Sequence, residues 1–182
     1  ASSNPGTPIV FKDRLYFGAD NAFGWELWRT NGASTSMVAD INPGAGDAYP
    51  QDFAILGGHL YFSASDGVTG NELWRTDGTL PVANVEQVAD IRPGALGSGP
   101  DKLTAMDGRL YFRAETDEKG TELWRSNGST VEPLDRLDAR TDIIALRLRR
   151  EKQKHCGTRF EHLAELLQAF GKNHGLVLAG RV

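Results

Sequence analysis

The sequence is short of what a disulfide scaffold, a zinc module or a membrane helix requires. A single Cys among 182 residues makes no intrachain disulfide and cannot build a zinc site alone. No apolar run approaches the ~18 residues of a membrane-spanning helix. Positive charge is not in excess either: the formal net charge is -4, which argues against a nucleic-acid binder that works by neutralising phosphates. A disordered chain is excluded from the other side. Hydrophobic residues make up 40 % of the sequence, more than a chain unable to bury its apolar surface carries. The length gives one domain of ordinary size and hardly two. Glycine is what the chain does have: 21 residues, about 11.5 % against an average usage near ~7 %.

Charge divides the chain in two. Residues 1–135 carry 10 Lys/Arg and 19 Asp/Glu, whereas residues 136–182 carry 10 and 5. All four Trp and all four Tyr lie in the first part, and His155, Cys156, His162 and His174 lie in the second. Such a shift marks segments built on different rules. The expected division is a flexible start over 1–7, a body over 8–135 and a basic C-terminal segment over 136–182.

The body repeats itself with a period of 45 to 50 residues. Leu15-Tyr16-Phe17 recurs as Leu60-Tyr61-Phe62 and Leu110-Tyr111-Phe112. Glu26-Leu27-Trp28-Arg29 recurs at Glu72–Arg75 and Glu122–Arg125, each followed by an Asn-Gly or Asp-Gly pair. Val38-Ala39-Asp40-Ile41 with Pro43-Gly44 recurs as Val88-Ala89-Asp90-Ile91 with Pro93-Gly94. Within each copy, residues alternate two by two. Leu60, Phe62 and Ala64 share one face and Tyr61 and Ser63 the other, the pattern of a strand with one face in a core. In the next strand Glu72, Trp74 and Thr76 oppose Leu73 and Arg75. The Asn-Gly and Asp-Gly pairs supply the positive φ of a tight hairpin, and Pro-Gly ends the third strand. A fourth strand is read at Phe53–Leu56 and Leu103–Met106, with Pro8–Phe11 as the lead-in to the first copy.

Four-stranded antiparallel units at this period are the building blocks of a β-propeller. The motif resembles the ELWxxDGT repeat found in tandem in bacterial proteins, mostly secreted or at the cell surface. The resemblance covers about residues 8–134 and implies a propeller-like pattern, a bacterial secreted or surface setting and no shared activity. The fold expected is mainly β, with about three blades over 8–56, 57–106 and 107–135 onward and a short α/β tail. Trp28, Trp74 and Trp124, with Phe17, Phe62 and Phe112, would fill the space between blades. The third copy decays after Gly128, with Asp138 the one trace of the third strand and Asp142–Leu148 a substitute. Propellers typically use ~4–8 blades, so the open face of a partial stack is expected to be an association surface. Either several chains complete a ring or the tail covers that face.

In the tail, Thr158-Arg159-Phe160-Glu161 reads as a capping box. Phe160, Leu163, Leu167 and Phe170 form an apolar stripe at helical spacing, and Gly171 ends it. A helix over 158–170 follows, unless the loss of repeat character marks a truncated or recombined end.

Candidate chemistry is weighed against packing. Glu26, Glu72 and Glu122 beside Trp suit the paired carboxylates of glycoside hydrolysis, yet a residue present in every blade is usually one that every blade needs. Asp20, Asp66 and Asp117 offer calcium some oxygens, but Asp is favoured at turns for its own backbone bonds, and the same holds for Asp40 and Asp90. Arg29, Arg75 and Arg125 next to Trp suggest a surface for sugars or acidic ligands. Tyr16, Tyr61 and Tyr111 are either a binding platform or packing between blades. His155-Cys156 lacks a third orienting residue for catalysis, His162 with Glu165 is two ligands rather than a site, and the basic run Arg147–Lys154 reads as a solvated complement to the acidic body. No phosphate loop, nucleophile elbow or zinc-protease helix occurs.

The leading expectation is a non-enzymatic module, secreted or at the cell surface, that self-associates or binds another extracellular macromolecule, with no cofactor required. A propeller lectin taking a glycan at the repeated Tyr and Arg residues is the alternative, and a hydrolase using the repeated carboxylates comes third. The polar start Ala1–Pro8, lacking Met, suits a mature chain after signal removal, and equally a chain trimmed at that point.

Overall fold

The computed structural model describes residues 5–81 and 83–134. The C-terminal helix expected at 158–170, with His155, Cys156, His162, Glu165 and the basic run, lies outside them. The described residues form twelve strands and no helix. In chain order these are β1 Ile9–Phe11, β2 Arg14–Asn21, β3 Gly24–Thr30, β4 Thr35–Ala39, β5 Gln51–Leu56 and β6 His59–Ser65, then β7 Asn71–Thr76, β8 Val85–Ala89, β9 Asp101–Met106, β10 Arg109–Thr116, β11 Gly120–Ser126 and β12 Val131–Pro133. They make three four-stranded antiparallel sheets of one design: β1 to β4, β5 to β8 and β9 to β12, each with its strands side by side in chain order.

The expected unit is therefore present three times, but its boundaries differ from those predicted at 56/57 and 106/107. Phe53–Leu56 and Leu103–Met106 open sheets 2 and 3 rather than closing the sheets before them. The physical reason is the turn after each. Gly57-Gly58 and Asp107-Gly108 both take positive φ, whose twist matches that of the flanking strands and forces a hairpin. Lys12-Asp13 does the same between β1 and β2, again at positive φ. The true boundaries are the Asp40–Pro50 and Asp90–Pro100 connections between sheets. The third copy is also more complete than expected: β12 follows the Asn127-Gly128 turn directly and pairs with β11, so sheet 3 has all four strands.

Register places the signature residues side by side. Phe17 pairs with Trp28, Phe62 with Trp74 and Phe112 with Trp124. The sheets then pack face to face through two apolar layers. In the first, Phe11, Tyr16 and Leu27 of sheet 1 meet Leu60, Phe62 and Ala64 of sheet 2, with Trp74 against them. In the second, Tyr61 and Leu73 of sheet 2 meet Leu110, Phe112 and Ala114 of sheet 3, with Trp124 against them. Each leucine or phenylalanine so buried contributes about 1.5–3 kcal/mol. No helix among the described residues is long and apolar enough to cross a membrane.

Candidate functional site

The repeated polar residues serve the joints between sheets. Glu26 and Glu72 are fully buried and their oxygens are taken up by the connection that follows their own sheet. Glu26 accepts from the Ile41 amide at 2.7 Å and more distantly from Asn42. Glu72 accepts from the amides of Ile91, Arg92 and Ser98 at 3.1, 3.2 and 2.7 Å, and from Ser98 Oγ at 2.7 Å. Burial pushes the Glu26 carboxyl up to about 7 against these amide bonds, and burial raises that of Glu72 as well. Neither faces solvent, and the geometry is that of a clamp on the inter-sheet connection.

Tyr and Arg form the second part of the joint. Tyr16, Tyr61 and Tyr111 are buried, so burial favours packing over the expected binding platform. Tyr16 lies in the layer between sheets 1 and 2 and Tyr61 in the layer between sheets 2 and 3, so a side chain that alternates away from the Leu/Phe face there still lands in a core. Arg29 donates to the carbonyl oxygens of Thr79 and Pro81 in sheet 2, at 3.0 and 2.9 Å. Arg75 repeats this one joint further on, donating to the Gly128 carbonyl of sheet 3 at 2.5 Å while hydrogen-bonding Glu86 and Tyr61. Arg125 pairs with Glu132 within sheet 3. The expected ligand surface is thus, at Arg29 and Arg75, occupied by protein.

The turn glycines complete the fit. A Cβ on Gly78 would meet Phe11 Cε1 at 2.7 Å and Tyr16 OH at 2.9 Å, and one on Gly128 would meet Tyr61 OH at 3.0 Å, whereas Gly32 has nothing within 4 Å. Sheet 1 therefore carries the turn and the apolar face that sheets 2 and 3 use for docking, and no sheet of the described residues is seated on them. Leu15 is 40 % exposed where its counterparts Leu60 and Leu110 are 0 %, and Val10 beside it is 63 % exposed.

Asp66 behaves as a turn residue. Asp66 Oδ1 accepts from the amides of Val68 and Thr69 and from Thr69 Oγ1, at 2.8, 2.7 and 3.1 Å, and these amides hold its carboxyl below the usual range although burial, the largest influence on it, acts to raise it. Asp117 pairs with Arg92 at 2.5 Å.

A groove that the repeat pattern does not point to lies between sheets 1 and 2. It has a volume of about 710 Å³ and is lined by residues 6–9, Trp25 and residues 49–53. The rings of Trp25 and Tyr49 stand 6.0 Å apart at 33°. Asp47 holds both, accepting from the Trp25 amide at 2.8 Å and from Tyr49 OH at 2.7 Å, and the tyrosine bond keeps its carboxyl below the ordinary range. The signal that would have found this site is departure from the repeat. Where sheet 1 has Gly18, Trp25, Asp47 and Tyr49, the second copy has Ser63, Asn71, Gly97 and Gly99. No protein-family model matches the chain, and no curated protein matches it.

Proposed function

We propose that the chain is a non-enzymatic interaction module that assembles by sheet stacking, with the outer face of sheet 1 taking a further sheet of the same design from a second copy. The observation that carries this is the contrast between Leu15, 40 % exposed, and Leu60 and Leu110, fully buried at the same position of the repeat. Two joints within the chain are made by this face, the Asx-Gly turn and the Tyr and Arg residues of the preceding sheet. Sheet 1 offers the face and the turn a third time, and no sheet of the described residues takes them. Exposed contiguous apolar surface of this kind marks association sites in folded proteins. Continued stacking of such sheets would close a ring, as in the secreted or cell-surface propeller-like repeats that the motif resembles. The buried, amide-bound state of Glu26 and Glu72 supports a structural role for the carboxylates over a hydrolytic one.

Sedimentation velocity on the full chain tests the reading. Mass should rise above that of the 19.8 kDa monomer with concentration, and Leu15→Lys should return it to monomer without lowering the melting temperature. A wild-type chain that stays monomeric at every concentration overturns the proposal.

A further inference from the structure

The groove at Trp25 and Tyr49 is built differently from everything that repeats. Four neighbouring positions change together in the first copy. Gly18 stands where sheets 2 and 3 have Ser63 and Arg113, and a Cβ there would collide with the Trp25 indole. Its absence lets the ring lie over β2, diagonally across from its own strand position. In sheet 3 the equivalent of Gly18, Arg113, is instead tied to Asp101 by a bidentate ion pair, and the hollow beside it is lined by Arg92, Asp101, Arg113 and Glu115. Charges that pair with each other fill that hollow, whereas rings line the first.

Tyr49 is the most informative of the four. Its φ is +49°, in the left-handed region, and at the equivalent position Gly99 has φ +55°. The connection needs that backbone conformation, and Gly supplies it without strain. A tyrosine there costs on the order of 1–3 kcal/mol and is nevertheless held 53 % exposed, with its hydroxyl fixed by Asp47. A strained, solvent-facing aromatic residue contributes little to the core, and its benefit lies in what the ring presents to solvent.

The polar groups identify the ligand chemistry. Tyr49 OH is spent on Asp47, and the Trp25 indole nitrogen lies beside Gly18. Gln51 adds an amide to the lining, and Asp52 adds a carboxylate whose Oδ1 also accepts from the Lys102 amide at 3.2 Å; among the described residues the lining holds no Lys or Arg. The groove therefore combines aromatic faces with acceptors for hydroxyl donors and repels anions. A proline-rich peptide presents carbonyl acceptors and almost no donors, so it leaves the acceptors of Gln51 and Asp52 without a partner. A neutral sugar presents an apolar C–H face to stack on a ring and hydroxyls to donate to carboxylates and amides. The volume falls within the ordinary range of small-ligand sites, about 300–1,000 Å³.

We infer that the Trp25–Tyr49 groove is a binding site for neutral pyranose oligosaccharides, stacked on the two rings and hydrogen-bonded to Gln51 and Asp52. The site is independent of the assembly surface, since it lies on the opposite face of sheet 1 from Leu15.

The test is isothermal titration of the full chain with maltotetraose, cellotetraose, mannotetraose and chitotetraose, alongside a decaproline peptide. At least one of the sugars should bind. Tyr49→Gly should weaken that binding at least tenfold while the melting temperature holds or rises, because Gly suits the backbone at this position. Trp25→Thr, which installs the residue of the third copy, should weaken it as much and serves if the first variant folds poorly. Failure of all four sugars to bind overturns the inference, as does decaproline binding in their place. Sugar binding left intact by both variants overturns it equally.

Discussion

Arg75 of sheet 2 donates to the carbonyl oxygen of Gly128 in sheet 3 across 2.5 Å, and the same guanidinium is held by Glu86 at the edge of its own sheet. The bond joins two sheets through a side chain that recurs in each. A cation whose fork satisfies a neighbouring loop carbonyl is worth more than the half-buried ion pair beside it. Replacing Arg75 by Lys keeps the charge and removes the fork. The expected outcome is a loss of about 1–2 kcal/mol in urea unfolding, read as a lower midpoint with an unchanged slope. An unchanged midpoint would show that Glu86 and Gly128 do not depend on this side chain.

The turn glycines separate backbone strain from inter-sheet fit. Gly32 and Gly78 occupy the same place in sheets 1 and 2, with φ of +87° and +65°. Gly32→Ala meets open space and should cost only the left-handed backbone, about 1–2 kcal/mol. Gly78→Ala must also push against Phe11 and Tyr16, adding about 1–3 kcal/mol of overpacking. Equal thermal shifts in the two variants would contradict a tight sheet 1 to sheet 2 joint.

Glu72 receives three backbone amides and one hydroxyl in a fully buried setting. Glu72→Gln turns one acceptor oxygen into a donor facing N–H groups. Stability should fall by about 1–3 kcal/mol, the range for a buried group left unsatisfied. Circular dichroism melts of the variant measure it, and a melt identical to wild type would leave the clamp without energetic weight.

The pH dependence follows from Glu26. Its carboxyl is raised from 4.5 to about 7 by burial, so between these values the folded chain holds a proton that the unfolded chain has released. Stability therefore declines as pH rises from about 4.5 to 7 and is flat above, with a total on the order of 3 kcal/mol. Glu72 is shifted in the same direction and adds to the decline. Urea midpoints taken between pH 5 and pH 8 should fall, and the fall should shrink in Glu26→Gln, which mimics the protonated form throughout. A midpoint that rises over this interval would contradict the assignment.

The sequence made the unit of the fold legible because its marks are strictly periodic. Leu-Tyr-Phe, Glu-Leu-Trp-Arg and Asn/Asp-Gly fall on β2, β3 and their counterparts, and on the turns between the strands that follow. Sheet membership was not legible, since Phe53–Leu56 has the same alternation whichever neighbour it pairs with, and only the twist of Gly57-Gly58 decides the matter. The roles of Tyr16 and Tyr61 were ambiguous for a related reason: in a stack both faces of a strand are interior. The Trp25 groove was overlooked because the repeat directs attention to what recurs, while Gly18, Trp25, Asp47 and Tyr49 are informative by failing to recur. A difference of Tyr49 against Gly99 at a left-handed position is visible only once the backbone is known.

Hydroxyl-radical footprinting of the full chain at low and high protein concentration reads the stacking surface residue by residue. Stacking on sheet 1 should protect Val10 and Leu15, on its outer face, at high concentration, while Leu96 and Val68, exposed elsewhere, react equally at both. Modification of Val10 and Leu15 that does not change with concentration would contradict it.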